Sequence, residues 1–326
     1  MKPFRFKPYY KTTLWGGDRI ATFKGIHTPS LPNIGESWEI SGVPGHESVV
    51  AQGGDPEGTD LGLTLPRLID KYRERLVGRK VYEKFGNQFP LLVKLIDAHQ
   101  DLSIQVHPDD RLALQRHHCM GKTEMWYIIQ ADQDARIYTG LHQTVSPHGL
   151  ISAATAPVLD GHSPLMDIIN TEESHAGDVF FIPAGRLHAI GAGNLLAEIQ
   201  QSSDITYRVY DFDRRDSNGQ PRQLHVDMAR DAIDYTIHDH YRTPYDHAQP
   251  FATLVSCPYF TVRRLRVEGD TSVDTTCDSF LILLCTQGRA LVGDTPIRQG
   301  DTLLVPACAA TLRLAGQATL LAASLE

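Results

Sequence analysis

Short apolar runs separated by turn residues follow one another along most of the chain, and this pattern predicts a structure made mainly of β-strands. Strands are expected at 89–98, 103–108, 124–129, 178–182 and 194–200. Two other segments repeat their apolar residues every three or four positions, which predicts helices at 64–85 and 225–237. The first part of the chain should therefore combine strands with a few helices.

The polar, proline-containing segment 238–250 has the composition of a linker. Residues 251–326 are strand-like throughout, with turn residues between short apolar runs, as in an all-β barrel or sandwich. We therefore expect a mainly β protein with two β-barrel domains, residues 1–245 and 246–326. The few helices should be inserted into the first domain or flank it.

An internal repeat supports this division. Gly177–Ala184 (GDVFFIPA) recurs as Gly300–Ala307 (GDTLLVPA). The first copy continues into a G-x5-P-x-G-x2-H pattern that ends at His188, whereas the second copy has Thr311 at the histidine position. Only the first copy keeps a possible metal ligand, so function is expected in residues 1 to 240, and the second barrel is expected to be degenerate.

Composition narrows the possible partners and surroundings. A chain of 326 residues has room for about two domains at ~150 residues each. Its net charge of −8 argues against a nucleic-acid partner, which a basic surface would indicate. No run reaches the ~18 apolar residues of a membrane span, and five cysteines without C-x-x-C spacing suggest neither a disulfide framework nor a cysteine-based zinc site. A soluble, cytoplasmic protein is expected.

The segment SIQVHPDD, residues 103–110, suggests a metal site. In a strand, Gln105 and His107 lie on one face and the apolar Ile104 and Val106 on the other. Burying a glutamine and a histidine together is costly unless another group pairs with them. A metal ion inside the first barrel would be such a group.

Two further residues complete a candidate ligand set. Glu124 opens the strand predicted at 124–129, and His188 follows the glycine-proline turn, so both can point into one barrel with Gln105 and His107. Two imidazoles, a carboxylate and an amide oxygen suit a divalent ion, and zinc is the leading candidate. The two histidines and the carboxylate alone also suit non-haem iron. A fourth ligand at Gln105 would leave fewer coordination positions for dioxygen and substrate together, which favours a metal without redox chemistry.

The motifs together resemble a known family. LSIQVHPDD, GKTEMWYII, GDVFFIPAGRLHAIG and EIQQSSDITYRVYDFDR, with WGG and GESWE near the N-terminus, are similar to the type I mannose-6-phosphate isomerases of the cupin superfamily in their short bacterial form. The resemblance implies two cupin (jelly-roll) barrels and one zinc ion per chain, held by Gln105, His107, Glu124 and His188. It also implies interconversion of mannose 6-phosphate and fructose 6-phosphate through a cis-enediol.

The same resemblance suggests roles for five other residues. Lys122 and Glu198 are candidates for the base, and Arg208 for contact with an oxyanion or the phosphate. Lys94 and Asp204 are candidates for substrate binding. Two alternatives stay open: Lys94 could lie at a sheet edge with its ammonium in solvent, and Arg208 could form an ordinary ion pair with Asp204.

Other functions are compatible with the same ligands. An iron-dependent cupin oxygenase would use the two histidines and the carboxylate, and a non-catalytic cupin could bind sugar phosphates without turnover. The expected partner is a small hexose phosphate, without nucleic acid or membrane, and the protein is expected to be a monomer or weak homodimer. Gly121 stands where longer members of the family carry a histidine, so the group that opens the sugar ring is not indicated.

Overall fold

The computed structural model describes residues 1–26, 31–55, 57–216, 218–274, 278–309 and 311–325. The strands in chain order are β1 (Lys2–Lys7), β2 (Tyr9–Gly17), β3 (Ile34–Ile40), β4 (Val49–Gly54), β5 (Leu91–Ala98), β6 (Ile104–Val106), β7 (Glu124–Ala131), β8 (Arg136–Leu141), β9 (Ile169–Glu173), β10 (Val179–Ile182), β11 (His188–Ile190), β12 (Asn194–Gln201), β13 (Tyr207–Tyr210), β14 (Phe251–Ser256), β15 (Thr261–Asp274), β16 (Leu281–Val292), β17 (Thr295–Arg298), β18 (Thr302–Val305) and β19 (Thr311–Ser324). The helices are α1 (Arg19–Lys24), α2 (Leu65–Tyr72), α3 (Glu74–Val77), α4 (Arg79–Phe85), α5 (Asp110–His117), α6 (Pro147–Thr155) and α7 (Val226–Ala232), with a 3₁₀ turn at Pro164–Asp167.

The N-terminal part is built from two sheets that pack face to face. One has six strands in the order β10-β7-β12-β5-β3-β2, and the other has five in the order β13-β6-β11-β8-β9. Trp126 and Leu196 of the first sheet share a buried cluster with Ile137 and Ile190 of the second. This sandwich, with its strands paired antiparallel, holds the candidate ligands between its layers.

A third sheet covers the other face of the six-stranded sheet. It contains the C-terminal strands in the order β14-β15-β19-β16-β18, continued by β1 and β4, while β17 pairs with β16. Phe260 and Phe280 on this side pack in one core with Val93 and Ile199 of β5 and β12. Since β5 and β12 are covered on both faces, every one of their residues is buried. That explains their almost continuous apolar sequence.

The mainly β fold of cupin type with a few helices is confirmed, with one correction. The strands of the described residues form open, facing sheets, whereas closed barrels were expected. The repeat falls where the prediction placed it, because β10 and β18 occupy equivalent places in their motifs, and the preceding Gly177 and Gly300 both have positive φ, 93° and 82°. The N-terminal strands β1 and β4 belong to the C-terminal sheet, so this sheet joins residues from both sides of the expected boundary at 245/246. That boundary remains a prediction.

The helical segments are shorter than expected. The segment predicted at 64–85 contains the three short helices α2, α3 and α4, because the backbone turns at Arg73 (φ 49°) and Gly78 (φ 92°). The helix predicted at 225–237 covers only Val226–Ala232. No helix in the described ranges is both long and apolar enough to cross a membrane.

Candidate metal centre and substrate cleft

Three of the predicted ligands meet between the two facing sheets. His107 follows β6, His188 opens β11 in the same sheet, and Glu124 opens β7 in the opposite sheet. All three are buried, and one ligand atom from each lies within 4.8 Å of the others. The sequence pattern therefore predicted a real convergence of side chains.

The hydrogen bonds of the two histidines show which ring nitrogen faces the centre. Nδ1 of His107 lies 2.9 Å from the carbonyl oxygen of Ile205, and Nδ1 of His188 lies 2.8 Å from that of Arg186. A carbonyl can only accept, so each Nδ1 carries the proton and each Nε2 keeps its lone pair. Burial lowers the pKa of both rings, that of His188 to about 3, so the imidazoles are neutral.

The three groups face one another, and the ammonium of Lys122 lies beside them. The two Nε2 atoms are 3.2 Å apart, and the Glu124 oxygens lie 3.4 Å from His188 Nε2 and 3.5 Å from His107 Nε2. Both oxygens of Glu124 are buried, and the near cation among the described residues is Lys122, whose Nζ forms an ion pair with one of them at 3.3 Å. Burial, followed by the charge of Glu198, raises the pKa of Glu124 to about 7. Two imidazole lone pairs and a carboxylate that converge on one point are a typical ligand set for a divalent metal, so this cluster is suited to such an ion.

Gln105 lies beside the cluster, opposite His188 in the ladder between β6 and β11. Its amide nitrogen is 3.4 Å from His188 Nε2, and its oxygen is 3.4 Å from Ser103 Oγ. The two amide atoms are exchanged by a half-turn of the terminal bond, and only the oxygen can bind a metal. A ligand role for Gln105 stays a prediction.

Lys122 reaches the same centre from the segment before β7. Its Nζ is 3.1 Å from His107 Nε2 and 3.3 Å from a Glu124 oxygen, and the side chain is buried. Lys122 thus lies next to the three metal-capable side chains, and a catalytic role for it stays a prediction.

Lys94 and Glu198 form a second charged group beside the cluster. Lys94 lies in the central strand β5, where its Nζ is 3.0 Å from an oxygen of Glu198 and 3.7 Å from Glu36. The other oxygen of Glu198 accepts a hydrogen bond of 3.0 Å from Trp126 Nε1. Lys94 is buried, so the alternative of a solvent-exposed edge lysine is wrong for this chain.

Lys94 and Glu198 shift each other's pKa values in the direction that keeps both groups charged. Burial disfavours both charged forms, but the charges of Lys94 and then Lys122 lower the pKa of Glu198 to about 2. Burial likewise opposes the charge of Lys94, yet Glu198 and Glu36 hold its pKa above the ordinary value. Both groups are therefore ionised at neutral pH.

A cleft with a volume of about 850 Å³ opens onto these groups. Arg208, Gln105 and His188 form one row across strands β13, β6 and β11. The guanidinium of Arg208 donates to the carbonyl of Gln223 over 2.8 Å, and among the described residues it forms no ion pair with Asp204. Asp204 and Arg208 both line the cleft, so the simple ion-pair alternative for Arg208 is not what the structure contains.

Three charged residues that line the cleft were not predicted as site residues: Lys11, Glu36 and Arg222. Trp38 donates to Glu36 over 2.7 Å, and Lys11 lies 3.6 Å from Glu36. Arg222 lines the cleft while paired with Asp211. The period of two in GESWE was an available signal, because it places Glu36 and Trp38 on the same face of β3.

Fold and cluster together define a cupin-type protein with a buried site able to hold a metal ion. The model of the phosphomannose isomerase type I catalytic domain matches residues 3–138. A mannose-6-phosphate isomerase of Streptococcus mutans is 37% identical over 298 residues, which cover 90% of this chain and 89% of that protein. One from Bacillus subtilis is 34% identical over 324 residues, 97% of each chain.

A solved structure leads to the same family. The crystal structure of a mannose 6-phosphate isomerase from Bacillus subtilis superposes with a TM-score of 0.85 at 33% identity and covers 99% of both chains. This chain belongs to the type I phosphomannose isomerase family. The resemblance read from the motifs is confirmed, as is the expectation of an enzyme of this isomerase class.

Proposed function

We propose that this protein interconverts D-mannose 6-phosphate and D-fructose 6-phosphate at a divalent metal, with zinc as the expected ion. The observation that carries the proposal is the convergence of His107, Glu124 and His188 at a cleft that also contains fixed positive charges. The relatives named mannose-6-phosphate isomerase support the choice of substrate.

The metal would be held by His107, Glu124 and His188, with Gln105 as a fourth ligand through its amide oxygen. A bound zinc ion would act as a Lewis acid and stabilise negative charge on a sugar oxygen. The neutral state of both imidazoles and their carbonyl-anchored Nδ1 atoms support this assignment, since ligating histidines are usually oriented in this way.

The isomerisation moves one proton between neighbouring carbons. A base removes the proton from C2 of the open-chain mannose 6-phosphate while O1 gains a proton, which gives the cis-enediol. O2 then loses its proton and the base returns its own to C1, which gives fructose 6-phosphate. The chain must supply a group that can take and return this proton.

Of the two candidates for the base, the contacts favour Lys122. A carboxylate with a pKa of about 2 is a poor proton acceptor at neutral pH, and both oxygens of Glu198 are already engaged by Lys94 and Trp126. Lys122 lines the cleft next to the ligands, where its amine can reach a bound sugar. In this proposal Glu198 instead holds Lys94 in place as a fixed positive charge.

The substrate is a phosphate ester, and the cleft offers cations to bind it. Arg208 presents a forked set of donors suited to phosphate or oxyanion oxygens, and its buried Nε has no partner among the described residues. Lys94 would add positive charge, and Asp204 could accept hydrogen bonds from sugar hydroxyls. These roles extend the proposal to each predicted substrate residue.

The proposal is tested with zinc-loaded protein in an assay that couples fructose 6-phosphate formation to NADPH production. Turnover of mannose 6-phosphate is expected, with loss of activity in His107→Ala and Glu124→Ala. His162→Ala is the matched control, because the His162 ring is exposed and contacts Asp167. No turnover by the metal-loaded wild type would refute the proposal. Metal analysis and oxygen uptake on the same samples test the iron-oxygenase alternative.

A further inference from the structure

Gln201, the last residue of β12, forms two hydrogen bonds with the backbone of Thr123, the residue just before Glu124. Its backbone N–H donates to the carbonyl of Thr123 over 3.1 Å, and its side-chain oxygen accepts from the N–H of Thr123 over 2.9 Å. Gln201 and Thr123 are both buried. One glutamine thus satisfies both backbone groups of the residue that separates Lys122 from Glu124.

The same glutamine connects this segment to the residues that follow His107. Its Nε2 donates to Asp110 Oδ1 over 2.9 Å, and the same oxygen accepts the N–H of Gly121 over 2.8 Å. Asp110 opens α5, three residues after His107. The strand that carries Glu124 is therefore tied to the loop that carries His107.

Thr123 extends the connection to the third ligand segment. Its hydroxyl accepts the N–H of Ala184 over 3.1 Å, in the turn that leads to His188. The carbonyl of His107 accepts the N–H of Gly185 over 2.9 Å in the same turn. All three segments that carry metal-capable side chains thus belong to one hydrogen-bond network centred on Thr123.

Gly121 shows how closely these segments are packed. A Cβ at this position would lie 2.6 Å from the backbone nitrogen of Asp110 and 2.7 Å from the carbonyl carbon of Asp109. The backbone at Gly121 therefore packs directly against the backbone at the start of α5, and the segment before Glu124 has little freedom to move along that helix. The direction of the Glu124 side chain therefore depends on how the segment is held at Thr123.

We propose that Gln201 is a positioning residue. By holding the backbone of Thr123 through two hydrogen bonds, it orients the side chains of Glu124 and Lys122 toward the metal. This inference rests on the metal site of the proposed function. Groups that orient metal ligands commonly affect metal affinity by about 10- to 100-fold, although they do not touch the ion. Gln201 should act in this way, and it should affect turnover through Lys122.

A matched control is available on the same strand. Asn194 begins β12, is fully buried, and makes three side-chain hydrogen bonds, to Arg136 O, Gly191 O and Ser174 Oγ. It pairs with Ala131 at the end of β7, seven residues from Glu124, at about 3.3 Å per residue. Replacing either amide removes a buried hydrogen-bonded group of similar kind. Only the replacement of Gln201 should disturb the metal.

The experiment measures zinc affinity by competition with a chromogenic chelator for the wild type, Gln201→Met, Gln201→Glu and Asn194→Leu. Gln201→Met should weaken zinc binding about 10-fold or more and lower kcat. Gln201→Glu keeps an acceptor for the Thr123 amide but sets a carboxylate against Asp110 Oδ1, so it should also weaken zinc binding. Asn194→Leu should lower thermal stability by as much as Gln201→Met and leave zinc affinity within about twofold of the wild type.

The outcomes separate the two proposals. If the wild type binds no zinc, the proposed metal site itself fails. If the wild type binds zinc and Gln201→Met binds it equally well, or if Asn194→Leu weakens binding as much, the positioning role is refuted.

Discussion

Lys94→Met isolates the charge that holds Glu198 ionised inside the sandwich. The substitution keeps most of the side-chain volume and removes the ammonium that lies 3.0 Å from Glu198. Glu198 then remains buried and keeps its hydrogen bond from the Trp126 N–H. Removing one member of a buried ion pair typically costs about 3–5 kcal/mol.

The lowered pKa of Glu198 gives a similar free energy for the buried ion pair. The pKa of Glu198 falls from the ordinary 4.5 to about 2, and each unit corresponds to about 1.4 kcal/mol, so the ionised carboxylate contributes about 3 kcal/mol. This contribution is present above pH 4.5 and is lost as the pH falls toward 2. Without Lys94, the largest charge that lowers the pKa of Glu198 is lost, so this pKa rises. The variant's deficit should therefore be largest at neutral pH and shrink as the pH falls toward 4.

Urea unfolding of both proteins at pH 7.5, 6 and 4.5 measures this difference. Lys11→Met is the control, since Lys11 is 40% exposed and lies 3.6 Å from Glu36, where a pair is worth about 0–1 kcal/mol. The double variant Lys94→Met/Glu198→Gln should recover much of the loss because no charge is left unpaired. A loss below about 1 kcal/mol at pH 7.5, or a loss that grows in acid, would refute the reasoning.

Three further substitutions probe other parts of the site. Gly121→Ala should destabilise by about 1–3 kcal/mol because its Cβ would meet the Asp110 backbone at 2.6 Å, and an unchanged melting temperature would contradict that packing. Trp126→Phe should cost about 1.5–3 kcal/mol in urea unfolding through the lost hydrogen bond to Glu198, and a smaller effect would mean that water replaces the indole donor. Arg208→Gln should raise KM for mannose 6-phosphate at least about tenfold with little change in stability, and an unchanged KM would remove Arg208 from the substrate site.

The metal-capable cluster could be predicted from the sequence because its signals are local. Alternation around His107 placed it on one face with Gln105, and the repeated G-x5-P-x-G turn marked His188. Glu124 was found as the first residue of a strand. Each of these depends on the period of a strand or the shape of a turn, which neighbouring residues determine.

Other features depend on contacts between distant segments. Lys94 could be read as an exposed edge residue because only the packing of the C-terminal sheet shows that β5 is covered on both faces. Arg208 and Asp204 are four residues apart, a spacing that brings side chains together on a helix, but Arg208 lies in strand β13. The pairing of β1 with β18, more than 290 residues apart, left no local trace.

The most direct test of the account is a zinc titration of chelator-treated protein, followed by the mannose 6-phosphate isomerase assay. We predict that metal-free protein is inactive and that activity rises linearly with added zinc and reaches a plateau at about one equivalent per chain. His107→Ala should not recover over the same range. Full activity in protein shown to be metal-free, or no recovery with zinc or any other divalent ion, would contradict a metal-dependent isomerase at this site.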